Sequence, residues 1–171
     1  LPDRDYYLQE SFAPQKAKYE LYVAKMLTLA GWEKPAEQAK AIVALETEIA
    51  KISWTRAERR DDEKMYNAVA VADLAKLAPG FDWQVFLAGA GLEKATTVVV
   101  QEKTAFPQIA AIFAKTPMDT LKAWQAFHLT DQSAPYLPKA FDEARYDFRD
   151  KTLSGQQAQK PRWKRGVGLV D

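Results

Sequence analysis

The chain has 171 residues, 47% of them hydrophobic and 27% charged, a composition that suits one folded domain with a hydrophobic core and excludes a disordered or collagen-like chain. Lys and Arg number 24 against 23 Asp and Glu, and the formal net charge of +1 provides no large field to recruit nucleic acid or an anionic membrane surface. Cysteine is absent, which excludes disulfides and thiolate zinc sites while leaving the compartment open.

The first residues, Leu1-Pro2-Asp3-Arg4-Asp5-Tyr6-Tyr7, carry no initiator Met, basic leader or apolar leader segment, so any targeting segment is expected outside these residues. No stretch approaches the roughly 18 uninterrupted apolar residues of a membrane span. From Tyr19, apolar residues fall at Tyr22, Val23, Met26, Leu27 and Ala30, one face of a helix, and Gly31 follows where a left-handed cap belongs. A second helix opens near Pro35 and places Ile42, Leu45, Ile49 and Ile52 on a stripe opposite Lys and Glu, which suggests an antiparallel pair. Thr55-Arg56-Ala57-Glu58 has the pattern of a capping box and predicts a short helix in the charged run that follows.

Val71, Leu74 and Leu77 predict another short helix, stopped by Pro79-Gly80. Asp82 caps one that buries Trp83, Phe86 and Leu87 before Gly89 and Gly91. Thr96 to Val100 is the one β-branched run and reads as a single strand or extended segment. Pro107 starts a helix through Ile109, Ile112 and Phe113. Thr116-Pro117-Met118-Asp119 combines an N-cap, a proline at the first helical position and a carboxylate near the amide end. The helix it opens sets Leu121, Trp124 and His128 along one side and ends before Pro135. Pro138 begins another, with Phe141, Ala144, Arg145 and Phe148 at helical spacing. Residues 154–159 form a polar loop, and a last helix begins at Pro161 with Trp163, Val167 and Val170 on one face. The expected fold class is mainly α, a multi-helix domain with at most one short extended segment or small hairpin.

Candidate chemistry is sparse. A helical zinc peptidase site needs two His at i and i+4 with a Glu between them, because that spacing aims both imidazoles at one metal. The chain has one His, His128, beside Trp124 and Leu129, and a structural role is expected for it. Ser154-Gly155 lacks the leading glycine of a nucleophile elbow, and Gly89-Ala90-Gly91 lacks both the third glycine and the preceding strand of a phosphate loop. The carboxylate pairs Glu46 and Glu48, or Asp61 and Asp62, are expected to be the solvated faces of their helices. Lys160, Arg162, Lys164 and Arg165 around Trp163 are expected to be helix surface rather than an RNA site, and the 5 Trp and 8 Phe mostly core. No catalytic or metal-binding residue is assigned, and the substrate-binding residues are unknown.

The order of the segments adds a reading. Leu-Pro-x-Arg-Asp-Tyr-Tyr at residues 1–7 resembles a stretch of the neprilysin family of zinc metallopeptidases, which includes endothelin-converting enzymes and bacterial oligopeptidase O. The resemblance continues through Leu45-Glu46-Thr47-Glu48-Ile49-Ala50, Trp54, Glu58, Arg60-Asp61, Lys64, Tyr66-Asn67 and Phe81-Asp82-Trp83. Later it runs through Thr116-Pro117, Trp124, Ala134-Pro135-Tyr136-Leu137, Phe141, Phe148 and Arg162-Trp163-Lys164-Arg165. It implies that residues 1–171 are part of an N-terminal helical lid domain, which faces a thermolysin-like catalytic domain and limits access to peptides.

The family's H-E-x-x-H helix, later E-x-x-x-D helix and N-A-x-Y segment do not occur here. Zinc is therefore implied for an intact parent and not for this region, which alone is expected to be inactive. On this reading the two ends interrupt a longer chain, the partners are the catalytic half and its peptide substrates, and the site is extracytoplasmic, periplasmic or secreted. The lack of cysteine leans toward a bacterial member. The competing reading is a freestanding helical interaction module derived from the same domain.

Overall fold

Helix formation follows apolar spacing most closely between Ala13 and Ile52. The computed structural model describes residues 1–167. A short helix, α1 (Asp5–Leu8), leads through a 3-10 turn into α2 (Ala13–Leu29), which buries Tyr19, Tyr22, Val23, Met26 and Leu27 as their i, i+3, i+4 spacing requires. At its end Gly31 takes φ of 73°, letting Trp32 N–H reach Leu27 O at 2.9 Å and Gly31 N–H reach Thr28 O at 3.0 Å. A Cβ added at Gly31 would meet nothing within 4 Å, so Gly31→Ala carries only the backbone cost of a left-handed residue. A loss of about 1 kcal/mol is expected, measurable as a lower urea midpoint with an unchanged slope.

The next helix, α3 (Pro35–Ile52), has Pro35 at its first position, as expected. Its buried positions are Ala39, Ile42, Val43, Leu45, Glu46 and Ala50, whereas Ile49 and Ile52 are only half-buried. The difference from the expected stripe arises because α3 is covered on two sides: by α1 and α2, and by α7 (Phe106–Lys115) and α8 (Met118–Ser133).

The capping box forms. Glu58 Oε2 accepts from Thr55 N–H at 2.8 Å, and Thr55 Oγ1 accepts from Glu58 N–H at 3.3 Å, although what it caps is a 3-10 turn, Glu58–Arg60. Asp61 then caps α4 (Asp62–Met65) through Lys64 N–H at 3.1 Å.

The extended segment is not alone. Strand β1 (Ala68–Ala70) pairs antiparallel with β2 (Thr97–Val99), with Ala68 opposite Val99 and Ala70 opposite Thr97. Three small residues carry too little pattern for β1 to be read from sequence. Between the strands lie α5 (Leu74–Leu77) and α6 (Trp83–Gly89), the latter capped by Asp82 at 3.0 Å. Leu74, Leu87 and Val100 form a second, smaller core with Trp83, Val98 and Phe106 packed on it.

Pro117 and Thr116 depart from expectation. Helix α8 starts at Met118 with Pro117 extended before it (ψ 138°), and the Thr116 hydroxyl donates to Ile112 O at 2.7 Å. Thr116 thus finishes α7 instead of capping α8: its backbone N–H and its hydroxyl both donate to Ile112 O in the last turn of the preceding helix. Helix α8 buries Thr120, Ala123, Phe127 and Asp131, placing Trp124 and His128 on the flank of the buried stripe. After α9 (Lys139–Arg145) the chain widens into a π-helix, Tyr146–Thr152, which sets Phe148 parallel to Tyr22 at 4.8 Å between ring centroids. Helix α10 spans Arg162–Val167, and the apolar position expected at Val170 lies outside the described residues.

The aromatic residues are less buried than expected. Phe127 and Phe148 are the buried Phe residues and no Trp is buried, while Trp163 is 67% and Phe86 52% exposed. Tyr19, Tyr22 and the aliphatic residues of α2 and α3 fill the main core instead.

Candidate functional site

The densest polar chemistry lies inside this helical core, on a residue expected at the surface. Glu46 is 8% exposed and faces the interior of α3. Its Oε2 accepts from the Tyr7 hydroxyl at 2.8 Å, and its Oε1 from Trp124 Nε1 at 3.1 Å and His128 Nε2 at 2.8 Å. The carboxylate only accepts, so His128 carries its proton on Nε2. Burial pushes the Glu46 carboxyl up, but the His128 hydrogen bond, the nearby Leu1 amino charge and then the Tyr7 hydrogen bond together hold the group below the usual range. Burial and the Glu46 charge push the Tyr7 hydroxyl up, so it remains a donor.

A second buried carboxylate, Asp131 of α8, accepts from the Tyr22 hydroxyl at 2.5 Å and from Arg149 of the π-helix through Nε, at 2.9 and 3.0 Å, and Nη2. Burial raises its pKa, while the Arg149 fork and Tyr22 bring it below the ordinary value. A third carboxylate, Asp3, is 8% exposed. It accepts from Arg56 Nε and Arg59 Nη2, both at 3.2 Å, and Arg4 Nε donates to Ala50 O at 3.2 Å. The Arg-Asp-Tyr-Tyr segment is therefore clipped to α3 and to the loop after it.

This arrangement organises a fold and does not expose a reacting atom. All three donors of Glu46 come from different turns or elements, and its oxygens are already engaged, so it is not free to take a proton from a substrate. His128 Nε2 is occupied by the Glu46 carboxylate. Zinc does not fit the donors present: the only His is bound to Glu46, Cys is absent, and the described residues include no group of three or more His, Cys, Asp or Glu placed to hold a metal.

The remaining candidates stay apart from this cluster. Glu48 pairs with Lys51 at 2.6 Å on the surface, and Asp61 serves α4 as its cap. The Ser154 hydroxyl donates to Arg149 O at 3.1 Å, and Gly91, with φ of 69°, closes α6. Lys160, Lys164 and Arg165 line a hollow of about 810 Å³ shared with Asp142 and Asp150, and Arg165 pairs with Asp142 at 2.7 Å, so the basic run has acidic neighbours.

Tyr7, Tyr22, Asp131 and Arg149 do not stand out in the sequence as site residues. Their only signal is polarity at a helical position facing apolar neighbours.

The lowered carboxylates make a pH prediction. Where the folded pKa lies below the unfolded one, stabilisation is complete above the ordinary carboxylate values and disappears as pH falls through the folded value. The stabilisation these carboxylates supply should thus be complete above about pH 5 and decline below about pH 4. Circular dichroism over an acid titration checks this, and Glu46→Gln or Asp131→Asn should flatten the decline.

Comparison with known proteins places this architecture. A family model for the N-terminal region of peptidase family M13 matches residues 1–171. Human endothelin-converting enzyme 1 is 28% identical over 96% of this chain and 22% of its own length, and neprilysin-11 of Caenorhabditis elegans is 28% identical over 94% and 21%. The Mycobacterium tuberculosis zinc metalloprotease Zmp1 in its open state superimposes with a TM-score of 0.94 at 34% identity, over 99% of this chain and 27% of that one. Its inhibitor complex gives the same values. The chain spans between about a fifth and just over a quarter of the length of these relatives. Its helical fold, and the family match along its whole length, establish that the chain belongs to peptidase family M13, as part of the N-terminal domain.

Proposed function

We propose that this chain is a non-catalytic portion of a zinc metalloendopeptidase, where it caps the active-site cavity and limits the size of the peptides admitted. The observation that carries the reading is the near-complete superposition of this chain on about a quarter of a zinc metalloprotease, combined with an interior whose ionisable groups are committed to one another. Zinc and the reacting groups would be held by the remainder of the polypeptide. The polar clips described here would keep the helical wall in one shape. A bacterial, extracytoplasmic setting is part of the same proposal; among the described residues no helix is long and apolar enough to cross a membrane.

The test is a substrate ladder presented to the full-length protein with zinc. Short peptides should be hydrolysed efficiently, and kcat/KM should collapse for folded proteins that carry the same scissile sequence in an exposed loop. Equal cleavage of both would overturn the capping role.

A further inference from the structure

Beside β2 runs an apolar groove of about 370 Å³, walled by Trp83, Phe86, Leu92, Phe106 and Ile109. Val98, Val99 and Val100 contribute to its lining and no residue of β1 does, so the groove lies on the side of β2 away from its partner. The pairing pattern tells which backbone groups face it. Val71 N–H bonds to Thr96 O and Val100 N–H to Asn67 O, and the register places Val69 opposite Val98. Hydrogen-bonded pairs alternate along an antiparallel ladder, so residues 96, 98 and 100 turn their N–H and C=O toward β1, while Thr97 and Val99 turn theirs to the open edge. Around that edge Val99 is 48%, Phe86 52% and Leu92 46% exposed. An unprotected strand edge next to exposed aromatic residues is the arrangement that accepts an added strand.

We propose that an extended segment of the same polypeptide, lying outside these 171 residues, adds as a third strand to the Thr97–Val99 edge and sets alternate apolar side chains into the groove. This rests on the reading of the chain as part of a longer peptidase. The length argument selects the occupant: 99% of this chain is matched by 27% of Zmp1, so nearly three-quarters of a protein of that length is available to cover the edge. A segment of one's own chain is also present at a high effective concentration, which a separate peptide is not. Period-2 spacing sets the chemistry, with apolar residues at every second position of the added segment.

Amide hydrogen exchange tests the proposal by comparing the 171-residue chain with the full-length protein. Val98 and Val100 amides, bonded to β1, should be protected in both. Those of Thr97 and Val99 should exchange freely in the short chain and at least about tenfold more slowly in the full-length protein without added peptide. Equally fast exchange in both proteins would overturn the proposal. So would protection that appears only when a peptide substrate is added, or protection in the short chain that grows with its concentration, since these assign the edge to substrate or to a second copy. Peptide hydrolysis by the same full-length sample reports separately on the peptidase reading, so either can fail alone.

Discussion

Glu46→Ala should destabilise the chain by about 3 to 5 kcal/mol, because each of several largely buried donors left without an acceptor costs about 1 to 3 kcal/mol. The substitution leaves the Tyr7 hydroxyl, Trp124 Nε1 and His128 Nε2 without an acceptor, and so unties α1 and α8 from α3 at one point. Against a total stability of roughly 5 to 15 kcal/mol this is a large fraction, and a fall in Tm of roughly 10 °C or more is expected for a domain of this size. Glu46→Gln should cost far less, about 1 to 2 kcal/mol. A tyrosine hydroxyl can turn to accept, and the imidazole can change tautomer, so the amide finds partners. Thermal unfolding of the two variants separates a carboxylate that holds the fold from one that merely sits in it: equal, small losses for both would contradict this role.

The second large effect is expected at Asp131. Asp131→Ala leaves the partly buried Arg149 guanidinium and the buried Tyr22 hydroxyl without their acceptor, at a cost of about 3 kcal/mol. The double variant Asp131→Ala with Arg149→Met removes both charges together and should recover most of that loss, because an isolated buried charge costs more than an apolar side chain of similar length in its place. Urea denaturation of the two single variants and the double gives the coupling energy directly. Additive losses would show that Arg149 finds water in the single variant, and that the pair contributes little.

What is legible in the sequence is what is local. The α2 stripe from Tyr19 to Leu27, the left-handed Gly31 and the Thr55–Glu58 box each depend on residues within a turn or two, and each forms. Glu46 defeats the same reasoning for the complementary reason. Next to Leu45 and one helical turn after Ile42, a charge looks solvated until its partners are known, and those partners stand 39, 78 and 82 residues away along the chain. The capping competition at Thr116 is decided by how α7 ends, and β1 by a ladder whose other strand lies beyond two helices. The exposed aromatic residues of α6 carry a different lesson. Their helical spacing predicts an apolar face correctly, yet among the described residues Phe86 stays 52% exposed.

The N-terminal motif gains a physical meaning from the same contacts. Asp3, Arg4 and Tyr7 each reach α3 or the loop that follows it, so the Leu-Pro-x-Arg-Asp-Tyr-Tyr stretch works as a clasp on the helix pair. Arg4 and Tyr7, which carry the family resemblance, are thus residues that hold the helices together.

If this chain is one structural part of a two-part peptidase, it should bind the other part. Sedimentation velocity of the 171-residue chain mixed with the separately produced zinc-bearing remainder tests this most directly. A one-to-one complex at micromolar concentrations is the expected result, as befits an interface of about 1,600 Å² or more. Independent sedimentation of the two components, each folded, would contradict it.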